Sequence, residues 1–141
     1  MEDIKFSLRG VTVEQFATVF EPENDKIELN LSIPVKTNYD NRSLAVGANI
    51  RYINDRKPFM IVEAFCHYEI EEECWNDISE GGTKDVVLPK ELMDTFVRIA
   101  VGAIRGIICV KTENTPFAKY YLPLIEISPS QEEGDFVIIK K

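Results

Sequence analysis

Residues 88–127 constrain the fold more than any other part of the chain, because their hydrophobic pattern changes in the middle of a predicted helix. In the first part of that helix the apolar side chains share one side and the polar ones the other, which is typical of a surface helix. After Arg98 the polar side is lost, since Val101 and Ile108 project from the same side as Asp94. A helix that is apolar all round is buried on every side. We therefore expect a second copy of the chain to cover its outer side.

The predicted oligomer interface lies in the second half of this helix. It comprises Val101, Ala103, Ile104, Gly106 and Ile108. Gly102 and Gly106 have the G-x-x-x-G spacing that lets two helix backbones approach each other closely. Because the charged Arg98 and Arg105 stand near these glycines, the spacing indicates a helix–helix contact and not a membrane span.

The ends of the helix are marked by specific residues. Pro89 suits a first turn, where no hydrogen-bond donor is needed inside the helix, and Glu91 complements the positive end of the helix dipole. At the other end Lys111 lies in the last turn, Asn114 is able to adopt a left-handed conformation, and Pro116 stops the helix. The helix is therefore expected to begin near residue 89 and to end before residue 114.

Composition limits the class of protein. The chain has 141 residues, the length of one ordinary domain, and a net charge of −8 from 24 acidic and 16 basic residues. That charge argues against a nucleic-acid binder, which carries a basic face. The first residues hold no signal region, and no apolar run has membrane-spanning length. Cys66, Cys74 and Cys109 are too few for a disulfide framework, so we expect a soluble protein of the cytoplasm.

The chain before the helix alternates apolar and polar residues, as the strands of a half-buried sheet do. We expect strands at residues 26–35, 43–54 and 59–70, and a first strand within residues 4–20 that bends at Gly10. Short turns separate the later strands, which favours an antiparallel meander. The predicted fold class is therefore α+β, with a four-stranded antiparallel sheet backed by one long helix.

Residues able to carry catalysis or to hold a metal are scarce. His67 is the single histidine, and strand alternation puts it on the opposite face from Cys66. No C-x-x-C pair or second histidine completes a zinc site. Serine-nucleophile, phosphate-loop and dinucleotide motifs do not occur in the sequence either. A small-molecule site between sheet and helix would need convergent polar groups, and one histidine with scattered acidic residues does not supply them. We therefore expect no enzyme activity, no metal and no cofactor.

Two segments each leave two interpretations open. The acidic run at residues 69–73 is either a solvated strand end that protects a sheet edge, or a docking patch for a basic partner. The arm, residues 117–124, is either packed into the core or open to solvent as an aromatic groove. Pro123 prevents the arm from being a central strand. Exposed apolar surface on such an arm usually marks a binding site.

The order of the elements, the strand segments KIELNLSIPV and FMIVEAFCHYEI, and above all the helix with its arm, VRIAVGAIRGIICVKTENTPFAKYYLPLIEI, resemble one family. They are similar to the SecB-type chaperones of protein export and their SecB-like relatives, over residues 6–127. The resemblance implies a single SecB-like domain in residues 1–141, with a core at residues 4–127 and a tail at 128–141. It also implies dimers that pair into tetramers, and an ATP-independent chaperone that holds unfolded polypeptides in apolar grooves and delivers them for protein export.

The resemblance and the acidic run together supply candidate site residues. The client-binding residues are Ile27, Leu29, Leu31, Phe117, Tyr120, Tyr121 and Leu122. The residues for docking a partner, in the family a translocase motor, are Glu63, Glu69 and Glu71. The expected partners are therefore unfolded polypeptides, a translocase motor and further copies of the chain, with no nucleic acid and no membrane insertion.

Two departures from the family pattern concern export. The family has an acidic residue at its docking position, whereas this chain has Met60, Ile61 and Val62 near that position and Glu63 as the nearest acid. The family's second C-terminal helix has no counterpart after Pro129. A SecB-like chaperone of another client, such as an antitoxin, therefore stays open. So does an oligomeric adaptor without a client groove.

Overall fold

Alternating apolar residues in the first half of the chain form one antiparallel sheet in the computed structural model, which describes residues 4–81, 85–124 and 136–139. The strands are β1 Phe6–Thr18, β2 Ile27–Ser32, β3 Val35–Asn38, β4 Ser43–Asn54 and β5 Lys57–Ile70. The order across the sheet is β1-β5-β4-β2, and β3 pairs with β4 beside β2. The sheet is therefore four strands wide, with β1 and β2 at its two edges.

Two helices and a small second sheet complete the described chain. Helix α1 is Glu72–Ser79, strand β6 is Val86–Pro89 and helix α2 is Lys90–Lys111. Strand β7, Phe136–Ile139, pairs antiparallel with β6. Helix α2 begins and ends close to its predicted limits, and Asn114 has a left-handed φ of 60°. The prediction of an α+β fold with an antiparallel sheet and a long helix is confirmed.

The predicted meander is wrong in its strand order. Strands β2, β4 and β5 follow one another across the sheet in chain order, but β1 pairs with β5, on the far side of the sheet from β2. This is a Greek-key order. The β4–β5 hairpin has a two-residue turn, with Asp55 and Arg56 at φ of 50° and 67°. Such short turns fix hairpins, whereas the eight residues between β1 and β2 are long enough to cross between the sheet edges.

Helix α2 packs across β4 and β5, and the buried side chains form two clusters. The main cluster consists of Ala48, Ile50, Tyr52, Phe59, Met60, Val62, Ala64, Val97, Ala100, Val101, Ile104, Ile108 and Leu122. The second cluster consists of Leu44, Val46, Cys66, Tyr68, Ile70, Trp75, Ile78, Val86, Leu88 and Phe96. Because α2 contributes to both clusters, it joins the two halves of the core.

The buried face of α2 corrects the predicted oligomer interface. Val101, Ile104 and Ile108 are 3%, 0% and 0% exposed, because they face the sheet of their own chain. Ala103 is half-buried against the second cluster. Of the five predicted interface residues, only Gly106 is exposed. A helical pattern that is apolar all round does not reveal which side the sheet covers. Here the sheet covers the side that was predicted to contact a second copy.

The outer side of α2 is nevertheless apolar and small. Gly102, Gly106 and Cys109 are exposed there, together with Ile99 and Val110, whose exposed fractions are 38% and 66%. In the described part of the chain, no helix is both long and apolar enough to span a membrane. The exposed apolar residues of α2 are therefore different from the predicted interface set, and self-association stays a prediction.

Two further features correct the predicted domain plan. The predicted tail at residues 128–141 is wrong for residues 136–139, since they pair with β6 and Ile139 packs against the second cluster. The sequence predicted one helix, and the structure has a second one, α1. Glu72 and Glu73 in its first turn complement the helix dipole, and Trp75 is only 2% exposed. Part of the acidic run is thus the start of a helix.

Candidate functional site

Strand β2 carries its apolar residues on the face of the sheet that α2 partly covers. Leu29 pairs with Tyr52 and Leu31 with Ile50, and paired residues of an antiparallel sheet point to the same face. Tyr52 and Ile50 are buried in the main cluster, whereas Leu29 and Leu31 are 36% and 38% exposed. Ile27 is half-buried against that cluster. Edge strand β2 therefore offers an apolar strip on which α2 does not pack.

The first part of the arm forms turns instead of an extended strand. The Thr115 backbone N–H donates to the Thr112 carbonyl at 3.1 Å, and the Tyr120 N–H donates to the Phe117 carbonyl at 3.0 Å. The Thr112 hydroxyl donates to the Ile108 carbonyl at 2.6 Å and ties the first turn to α2. These turns bring Phe117 and Tyr120 against the main cluster. Residues 121–124 have no regular structure.

Phe59 lies at the centre of an aromatic group that joins the arm to the sheet. Its ring is 5.1 Å from the ring of Tyr120 and 6.4 Å from that of Phe117. The rings of Tyr52 and Phe20 lie 5.9 Å and 6.0 Å from it. Phe117 and Tyr120 are therefore half-buried. Sequence reasoning missed Phe20 and Phe59, because the group forms from segments distant in sequence and has no local signal.

Leu122 is an anchor of the arm and not a contact surface. It was predicted to bind clients, but it is 2% exposed and belongs to the main cluster. Arg105 of α2 donates from Nε to the Leu122 carbonyl at 3.1 Å and from Nη2 to the Pro123 carbonyl at 2.9 Å. On either side of this attachment Tyr121 is 70% exposed and Leu124 is 93% exposed. Of the four arm residues predicted to bind clients, only Tyr121 is thus exposed.

Edge strand β1 is a second exposed apolar strip, which the sequence did not identify. Phe6, Leu8, Val11 and Val13 are 39%, 53%, 48% and 44% exposed. Leu8, Val11 and Val13 pair with Tyr68, Cys66 and Ala64, which lie on the face that α2 covers. The bulge between Leu8 and Gly10 keeps Leu8 on the same face as Val11 and Val13, and the bulge between Val13 and Gln15 brings Phe16 to that face. Because each bulge shifts the alternation by one residue, the strip is hidden in the sequence.

The three predicted docking acids do not form one patch. Glu63 and Glu69 lie on the sheet face away from α2, where Glu63 accepts a hydrogen bond from Asn49 at 2.7 Å and Glu69 pairs with Arg9 at 3.0 Å. They are six positions apart on β5, or about 20 Å along a strand. Glu71 lies beyond the end of β5, before the first turn of α1. Docking through these residues stays a prediction.

Buried hydroxyl and thiol groups lie beneath α2. Burial raises the pKa of Tyr52 to about 12, against a smaller opposing effect of the Arg105 charge. Burial also raises the pKa of Tyr68 to about 12, with a further contribution from the neighbouring Cys66, whose own pKa burial raises. Neither tyrosine hydroxyl is aligned with a hydrogen-bond partner in the described part of the chain. These groups stay protonated at neutral pH and supply no base.

The remaining chemistry of the described residues is sparse. His67 lies on the sheet face away from α2, with its Nε2 2.7 Å from the Thr12 hydroxyl, so it joins β5 to β1. Within residues 4–81, 85–124 and 136–139, no three histidine, cysteine or acidic side chains are grouped as metal ligands. The site is therefore best described by its apolar contacts, which accept many side chains without directional requirements.

Comparison with known proteins identifies the fold. No protein-family profile matches the chain, and a search of curated proteins finds no match. Among solved structures, the chain is similar to the Mycobacterium tuberculosis Rv1957 SecB-like chaperone in complex with a ChAD peptide from the Rv1956 HigA1 antitoxin. The TM-score is 0.52 at 16% identity, over 86% of this chain and 90% of that chain. The predicted resemblance is thus confirmed at the level of structure, and the chain has the SecB-like fold.

Proposed function

We propose that this protein is an ATP-independent holding chaperone that binds extended apolar segments of unfolded polypeptides. The observation that carries the proposal is the open apolar strip of Leu29 and Leu31 on an edge strand, with Tyr121 and Leu124 exposed on the arm. An edge strand also offers unpaired backbone groups to an extended segment. The antitoxin peptide bound by the structural neighbour supports a polypeptide as the ligand class.

The exposed areas suit weak, distributed binding. Complete burial of a leucine side chain contributes about 1.5–3 kcal/mol. Leu29 and Leu31 expose only about a third of their surface, so each contributes roughly 1 kcal/mol or less when covered. A client segment must therefore contact several positions at once. Because such contacts are non-directional, many client sequences are accepted and each is released without an energy source.

Between the two client classes, we propose non-export clients, such as an antitoxin, ahead of export precursors. The antitoxin peptide in the neighbour's complex supports the former. Delivery to a translocase motor is less well supported, since Glu63 and Glu69 are far apart and Glu69 already pairs with Arg9. A pull-down of the translocase motor with the purified protein, at low salt, tests the export alternative directly.

Self-association is the second part of the proposal. Leu8, Val11 and Val13 on edge strand β1, and Ile99 and Val110 on the outer side of α2, are exposed apolar residues that a second copy would cover. Sedimentation should give at least a dimer at micromolar concentration. A stable 16.1 kDa monomer under those conditions would contradict this part, although it would leave client binding untouched.

The test of the holding function is an aggregation assay. A denatured, slow-refolding protein is diluted into buffer without nucleotide, and its aggregation is followed by light scattering. Equimolar wild-type protein should suppress the scattering, whereas the double change Leu29→Ser/Leu31→Ser should lose most of that effect. Glu28→Gln/Asn30→Ser, on the opposite face of the same strand, is the matched control and should behave as wild type. If the wild-type protein leaves the scattering unchanged, the proposal is wrong and the adaptor alternative remains.

A further inference from the structure

The end of the arm is attached to the domain by very few contacts. In the described part of the chain, residues 121–124 make no backbone–backbone hydrogen bond; the last such bond of the arm is that of the Tyr120 N–H. Pro123 has no N–H to donate. The attachment consists of the buried Leu122 side chain and the two hydrogen bonds from Arg105. Arg105 is therefore the only polar tether on this segment among the described residues.

The geometry of the tether matters more than its charge. Two different nitrogens of one planar guanidinium reach two successive carbonyl oxygens, at 3.1 Å and 2.9 Å. A planar fork with fixed donor directions selects one arrangement of its acceptors, whereas a lysine ammonium is a compact charge whose three donors rotate and impose no such arrangement. The guanidinium therefore fixes how two successive peptide groups are oriented over this point of α2.

The attachment at Arg105 and Leu122 orients the neighbouring side chains of the arm. With the carbonyls of Leu122 and Pro123 on Arg105, the Leu122 side chain is inside and Tyr121 and Leu124 are outside. A slip of this segment by one residue would place Tyr121 or Pro123 where the Leu122 side chain now lies and would expose Leu122. Among the described contacts of residues 121–124, the buried Leu122 side chain selects the present arrangement, and the two hydrogen bonds from Arg105 hold the segment in it.

We propose that Arg105 is a positioning residue that holds the arm against α2, so that Tyr121 and Leu124 are presented to an extended apolar polypeptide. This inference rests on the proposed function in its last clause only; the control of the arm by Arg105 holds whether or not a client binds. Arg105 does not contact the client. It acts through the backbone of the arm.

The experiment uses the full chain with Arg105→Met, which keeps a long apolar stem and removes every donor, and Arg105→Lys, which keeps the charge without the fork. Arg98→Met, an exposed arginine on the same helix, is the matched control. The first measurement is the rate of chymotrypsin cleavage within residues 117–124, mapped by mass spectrometry. The second is the affinity for a fluorescent, unfolded apolar peptide. Thermal unfolding is recorded for each variant.

Arg105→Met should remain folded, be cleaved in the arm about ten times faster, and bind the peptide about ten times more weakly, the effect expected for losing charge-assisted hydrogen bonds. Arg105→Lys should be intermediate in both measurements, and Arg98→Met should match wild type. If Arg105→Met is cleaved at the wild-type rate, the positioning role is overturned. If Arg105→Met does not fold, the cleavage rate of Arg105→Lys decides in the same way. Faster cleavage with no peptide binding even by wild type would remove the proposed function and keep the positioning role.

Discussion

Substitution of Gly47 by alanine should destabilise the protein, because the sheet leaves no room for a side chain there. Gly47 of β4 pairs with Phe65 of β5. A Cβ atom at Gly47 would lie 2.6 Å from the Ala64 carbonyl oxygen and 2.8 Å from Cδ1 of the Phe65 ring. The carbonyl belongs to the neighbouring strand, so it moves only if β4 and β5 separate. The Phe65 ring is 1% exposed and has the Lys36 amine 4.1 Å from its centroid.

The expected magnitude follows from two opposing effects. Overpacking of a well-filled site costs about 1–3 kcal/mol, whereas replacing glycine by alanine restricts the unfolded chain and stabilises by about 0.4–1 kcal/mol. We expect Gly47→Ala to lower the free energy of unfolding by about 1–2 kcal/mol. Urea titrations at one fixed protein concentration measure this difference, since an oligomer's apparent stability depends on concentration.

The matched control makes the same chemical change where the space is open. Gly102 lies on the outer side of α2, and a Cβ atom there would meet nothing within 4 Å. Because alanine favours a helix over glycine by about 1 kcal/mol, Gly102→Ala should be as stable as wild type or more so. Since Gly102 lies on the proposed contact surface, sedimentation at the same protein concentration checks that its association matches wild type. The double change Gly47→Ala/Phe65→Leu should recover only part of the loss, since the carbonyl contact remains. Equal stability of Gly47→Ala and wild type would refute the packing argument.

Three further predictions concern the interface, the arm and the buried tyrosines. Gly106→Leu should dissociate the oligomer in sedimentation if the outer side of α2 is a contact, at a cost of about 1–3 kcal/mol. Leu122→Ala should destabilise by about 2–5 kcal/mol in urea, as for other buried leucines, whereas Tyr121→Ser should change stability by less than about 0.5 kcal/mol. The pKa values of Tyr52 and Tyr68 are raised from 10.0 to about 12 on folding, so the unfolded state loses these protons first. Their contribution to stability should be complete below pH 10 and disappear as the pH rises towards 12; a urea midpoint that is flat over this range would contradict it.

The parts of the fold that the sequence predicts well are local and long. Strand β4 has the predicted bounds at residues 43 and 54, since twelve residues of clean alternation leave little choice of phase or length. Helix α2 ends where Asn114 and Pro116 indicate. The antiparallel arrangement of β4 and β5 follows from the short turn between them, which is also a local property.

The parts that the sequence does not predict depend on distant contacts or on breaks in periodicity. The position of β1 beside β5 depends on a long connection, and the bulges near Arg9 and Glu14 disguise its apolar face. Helix α2 has apolar residues on every side, so only the sheet decides that Val101 is inside and Val110 outside. Leu122 and Leu124 are both leucines of the arm, so residue type does not show that the first is buried and the second exposed. The Leu122 side chain is buried by residues of the main cluster that are distant in sequence, and the Leu122 carbonyl accepts from an arginine seventeen positions earlier in the chain.

The acceptors of the Arg105 tether are main-chain carbonyls, and this makes the tether independent of the side chains it presents. Every amino-acid residue has the same main-chain carbonyl. Positions 121 and 124 are therefore able to change without loosening the attachment. An arginine also keeps its charge at every pH that a folded protein meets. Binding preference can therefore diverge through Tyr121 and Leu124 while the anchoring chemistry stays constant, and sequence variation among proteins of this kind is expected to concentrate at these two positions before it reaches Arg105.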